Sequence, residues 1–99
     1  MKYTDTQNLL MRSLMFVPAN NERYLKSATH SDADIILLDV EDSVPGSVNK
    51  QVARDKIVEY TNKKYFTQPL FPRINDRESG HLLKDLLQLT IPGITGFMY

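Results

Sequence analysis

The chain has 99 residues, with twelve Lys and Arg balancing twelve Asp and Glu, 41% hydrophobic residues and no cysteine. These charges are scattered along the chain, giving no basic stripe for nucleic acid and no polybasic membrane tail, and the lack of cysteine excludes disulfides and thiolate metal sites. No apolar run approaches a membrane span, and the first residues carry no apolar signal region, so a cytoplasmic location is expected.

Residues 1–11 are polar and without period and read as an N-terminal extension ahead of a domain over residues 12–99. Leu14 to Val17, closed by Pro18, is a short continuous apolar run and reads as a first strand. Asn20 is a candidate cap for a helix over about residues 21–30, with Tyr24, Leu25 and Ala28 facing inward. Ile35 to Leu38 is apolar on both faces, as expected of a buried parallel strand. After the breaker Ser43-Val44-Pro45-Gly46-Ser47, a helix is expected over about residues 49–64 on Val52/Ala53, Ile57 and Tyr60/Thr61. Pro69 to Ile74 reads as a third strand. Ser79 is expected to cap a Leu-rich helix bearing Leu82, Leu83, Leu86, Leu87 and Leu89, which Pro92-Gly93 ends. Ile94 to Tyr99 would begin a fourth strand. The strand–helix alternation implies a parallel sheet with crossover helices.

Three strand ends turn polar: Pro18-Ala19-Asn20, Leu38-Asp39-Val40-Glu41-Asp42-Ser43-Val44 and Arg73-Ile74-Asn75. Parallel α/β folds keep their chemistry at the carboxyl ends of strands. Side chains alternate along a strand, so Leu37, Asp39 and Glu41 share a face, as do Phe71, Arg73 and Asn75. If the two strands are neighbours, Asp39 or Glu41 meets Arg73. That meeting reads either as an ion pair fixing strand register or as a planar fork offered to an anionic substrate. Glu41 and Asp42 are candidate metal or water-shell oxygens, or simply acids at a helix entrance. His30 reads as structural and His81 as solvated. Ser13 and Ser43 have no paired histidine, so a nucleophilic triad finds no support.

Taken together, Arg12-Ser13-Leu14-Met15-Phe16-Val17-Pro18, Leu38-Asp39-Val40-Glu41-Asp42-Ser43-Val44 and Arg73-Ile74-Asn75 resemble the motifs of the citrate lyase β-subunit family, also called the HpcH/HpaI aldolase family. The resemblance covers residues 12–99 and implies the N-terminal half of a TIM barrel, with about four parallel strands and three crossover helices. It implies carbon–carbon cleavage or formation on oxo- or hydroxy-acids or their CoA thioesters, with Mg²⁺ as cofactor. Arg73 then binds the acid substrate, and Asp39, Glu41 and Asp42 shape the metal site or its water shell. The family's two main metal ligands, a Glu and an Asp on later strands, fall beyond Tyr99. The expectation is therefore a fragment inactive alone, which self-associates or pairs with a missing half. Pro72 stands where that family usually has an aliphatic residue. Two rival readings are a non-catalytic interaction fragment or pseudoenzyme, and a response-regulator receiver domain with Asp39 as phosphoacceptor. The receiver would need an acid pair where Val17-Pro18-Ala19-Asn20 stands.

Overall fold

A computed structural model describes residues 13–99; the N-terminal extension and Arg12 lie outside the described residues. Three parallel strands, β1 (Leu14–Pro18), β2 (Ile35–Asp39) and β3 (Leu70–Arg73), form a sheet in the order β1-β2-β3. The connecting helices are α1 (Glu22–Ala28) and α2 (Ser47–Asn62), and β3 is followed by a 3₁₀ turn (Arg77–Ser79) and α3 (Leu82–Leu89). Sequential order with helical crossovers is the arrangement of the N-terminal part of a (β/α)₈ barrel. It also sets aside the receiver reading, whose order would be 2-1-3. In place of a full fourth strand, Met98 forms a parallel bridge to Arg73. The Ile74 N–H donates to the Met98 carbonyl at 2.9 Å and the Met98 N–H to that of Pro72 at 2.8 Å. No helix among the described residues is long and apolar enough to cross a membrane.

Register divides the sheet into two chemically different faces. Val17, Leu38 and Pro72 align across the strands, as do Pro18, Asp39 and Arg73 one residue further on. The first row belongs to a single core that also takes Leu25 and Ala28 from α1, Ala53, Ile57 and Tyr60 from α2, and Leu89 from α3. All three helices therefore cover one face. The opposite face carries Phe16, Leu37 and Phe71 in a row, capped by the Asp39–Arg73 row. It stays partly open, with Leu14 52% and Phe16 45% exposed.

The local rules explain most boundaries and correct several. Asn21, not Asn20, caps α1: its Oδ1 accepts the Tyr24 N–H at 3.2 Å. Tyr24 itself is exposed, because one turn of so short a helix turns only Leu25 and Ala28 to the core. Ser79 ends the 3₁₀ turn, which Asp76 caps through the Ser79 N–H at 2.9 Å. His81 then opens α3 with no side-chain cap. The face that α3 buries runs through Asp85 and Leu89, leaving Leu83 and Leu87 in solvent.

Pro72 costs the β2–β3 ladder nothing. The Leu70 and Ile74 N–H groups, two residues to either side, go to Thr95 Oγ1 and the Met98 carbonyl. N–H groups of alternate residues point the same way, so the missing donor of Pro72 falls on the Met98 side, away from β2, where proline is tolerated. Gly93 sits at φ +100°, and a Cβ there would lie 2.7 Å from Thr61 Cγ2, so the turn after α3 fits against α2 only without a side chain.

Candidate functional site

The carboxyl ends of β2 and β3 bring Asp39 and Arg73 together as the shared register requires. Arg73 Nε donates to Asp39 Oδ1 at 2.9 Å and Nη2 to Oδ2 at 3.0 Å, a two-pronged contact. Asp39 is fully buried and holds more donors still. The Glu41 N–H reaches Oδ1 at 2.9 Å, and the Ser43 N–H reaches Oδ2 at 2.8 Å with the Ser43 hydroxyl beside it. Burial alone would push this carboxyl up. The hydrogen bonds from Arg73, Ser43 and the two backbone N–H groups outweigh it and bring the pKa down to about 2. The bond to Asp39 raises Arg73 in turn.

Glu41 Oε1 lies 3.5 Å from Arg73 Nε, with about a third of its side chain exposed. Its carboxyl is raised, first by burial and then by Asp42 next to it, against the pull of Arg73. Arg73, Glu41, Ile74, Asp76, Met98 and Tyr99 line a cleft of about 480 Å³ here. Asp42 is exposed and does not line the cleft. The Phe16 ring covers one face of the Arg73 guanidinium, its centroid 4.8 Å from Cζ.

Asn75 does not join Arg73 on this face. It leaves the strand, is 2% exposed, and turns into the layer between sheet and helices. There its N–H and Nδ2 both donate to Asp85 Oδ2 at 2.8 Å, and Nδ2 also reaches the Val40 carbonyl at 3.1 Å. Arg54 Nε completes the cluster at 2.7 Å from Asp85 Oδ1, with both side chains out of water. His81 is half-buried rather than solvated, its Nδ1 3.3 Å from Arg54 Nη2. Lys50 reaches back from α2 to the Val40 and Glu41 carbonyls at 3.1 and 2.9 Å.

Sequence reasoning placed Asp39, Glu41, Asp42 and Arg73 at one strand-end site, and the first two meet Arg73 there. It missed Phe16 and the holding role of Ser43. It also missed the Arg54–Asp85–Asn75 cluster, although a signal was present: Arg54 and Asp85 each interrupt the buried stripe of an amphipathic helix. A charge in such a position requires a partner. Among the described residues no group of three His, Asp or Glu could hold a metal ion.

A family model described as HpcH/HpaI aldolase/citrate lyase matches residues 12–99. The chain belongs to that family of lyases and aldolases. A search of curated proteins found no match.

Proposed function

We propose that this chain forms the acid-binding part of a Mg²⁺-dependent carbon–carbon lyase of the citrate lyase β-subunit type, acting on oxo- or hydroxy-acids or their CoA thioesters. The observation that carries this reading is Arg73: a guanidinium at a strand's carboxyl end, rigidly held, lining a cleft and still 27% exposed. Such a group suits a small carboxylate. Glu41 and Asp42 fit the water shell of a divalent cation, which would offset the burial and the neighbouring Asp42 charge that raise Glu41. They are not a complete ligand set. When bound, the cation would polarise the substrate carbonyl. The chain's own residues orient the acid through Arg73, whose guanidinium is covered on one face by Phe16. The same reading carries a cytoplasmic location, and assembly with further chain or further copies over the open sheet face.

The test is turnover of a panel of oxo- and hydroxy-acids and their CoA thioesters with and without Mg²⁺ by the chain assembled into a completed barrel, comparing wild type with Arg73→Lys. Lysine keeps the charge but loses the fork, so kcat/KM should fall about 10- to 100-fold, the range expected for a charged hydrogen bond. Unchanged kcat/KM would remove Arg73 from the site. A folded, assembled barrel with no turnover on any acid would favour the non-catalytic reading.

A further inference from the structure

We propose that Asp39 and Ser43 are positioning residues that lock Arg73 by its Nε–Nη2 edge, so that a substrate carboxylate is taken end-on by the Nη1–Nη2 edge. This rests on the reading of Arg73 as the acid-binding residue. A guanidinium has two edges able to grip a carboxylate in a two-pronged way. Asp39 occupies the Nε–Nη2 edge at 2.9 and 3.0 Å. Among the described residues nothing accepts a hydrogen bond from Nη1.

A substrate cannot readily take over the occupied edge. Asp39 is fully buried and its oxygens also accept the Glu41 N–H, the Ser43 N–H and the Ser43 hydroxyl. Displacing it would strand those donors as well as a buried carboxylate. Phe16 blocks one face of the guanidinium, and its N–H bonds lie in the plane of the group, so a carboxylate that accepts from Nη1 and Nη2 lies within that plane. The bound acid is thereby fixed in both direction and tilt. Ser43 does not line the cleft and donates to Asp39, so it acts by holding Asp39.

The experiment follows arginine side-chain Nε–H exchange by NMR on the ¹⁵N-labelled full chain, with Arg73→Lys identifying the Arg73 signal. In wild type, Arg73 Nε–H should exchange at least about 10-fold more slowly than the exposed Arg23 and Arg77, as a hydrogen-bonded group held from water does. Ser43→Ala should speed Arg73 several-fold while leaving Arg54, locked in its separate buried pair, unchanged. A general loss of stability would speed both. Asp39→Asn, if it folds, should abolish the protection at Arg73. Pyruvate, a simple 2-oxo carboxylate, should then shift the Arg73 Nη signals while Nε–H stays protected. Exchange at Arg73 as fast as at Arg23, or no effect of Ser43→Ala, would overturn the clamp. Pyruvate capturing the Nε–H would overturn the end-on edge. Protected Nε–H with no response to pyruvate would support the clamp and overturn the acid-binding reading on which the free edge depends.

Discussion

Replacing Asp85 by asparagine should be among the most damaging single-atom changes this chain can suffer. Asp85 is fully buried and accepts from three donors: Arg54 Nε on Oδ1, and the Asn75 N–H and Nδ2 on Oδ2. An amide has one oxygen to offer. Whichever way it flips, its NH₂ faces a donor, and Arg54, itself only 1% exposed, is left as an uncompensated buried charge. Breaking such a pair costs about 3–5 kcal/mol. Against the roughly 5–15 kcal/mol that stabilises an ordinary domain, that is a large share. At about 4–8 °C per kcal/mol for a unit of this size, the melting temperature should fall by about 15 °C or more. Urea denaturation followed by circular dichroism measures the loss directly. Adding Arg54→Met removes the stranded charge while the introduced amide oxygen still accepts from Asn75, so the double variant should recover roughly half of the loss. A loss below about 1 kcal/mol for Asp85→Asn alone would refute the reasoning.

Two further outcomes are expected. The Asp39 pKa lies at about 2 in the fold against an ordinary 3.8, so the unfolded chain binds more protons between those values. The stabilisation, about 2 kcal/mol, is therefore present above pH 5 and lost as pH falls towards 2. Urea midpoints of wild type and Asp39→Asn should differ at pH 7 and converge by about pH 2, and a gap constant with pH would contradict this. Gly93→Ala should destabilise by more than about 1 kcal/mol, since alanine is strained at positive φ and its Cβ meets Thr61 Cγ2. Thr61→Ser, which removes that methyl, should restore part of the loss in thermal melts, and no rescue would place the cost in the backbone alone.

How far the sequence could be read depended on how local the determining forces were. The strand positions and their order followed from apolar runs such as Ile35 to Leu38 and from helix-length spacers, and period-two alternation brought Asp39 to Arg73. Asn75 escaped that rule because alternation holds only while the chain remains extended; past Arg73 the backbone turns and the side chain follows Asp85. The buried face of α3 was misassigned for a related reason. Five leucines suggest a leucine face, yet the position that faces Arg54 is an aspartate, and the tertiary partner decides which stripe goes in. Glu41 and Asp42 were legible as strand-end acids, but whether they hold a cation's water is set by residues no local pattern supplies.

The segment from Asp39 to Lys50 ties itself together. Asp39 is gripped by Glu41 and Ser43, the Val44 N–H returns to Glu41, Asn49 Nδ2 to Pro45, and Lys50 to Val40 and Glu41. None of these contacts spans more than ten residues. Closing loops that short carries little entropic cost, so the shape of this strand end is written almost wholly in its own twelve letters. Its hydrogen bonds to distant sequence are few: the Ala19 N–H just after β1 donates to the Asp39 carbonyl, and the others run to Arg73 and Asn75. Such a segment behaves as a cassette: transplanted beside another parallel strand that supplies an arginine and an asparagine at matching heights, it would bring its carboxylate already aimed.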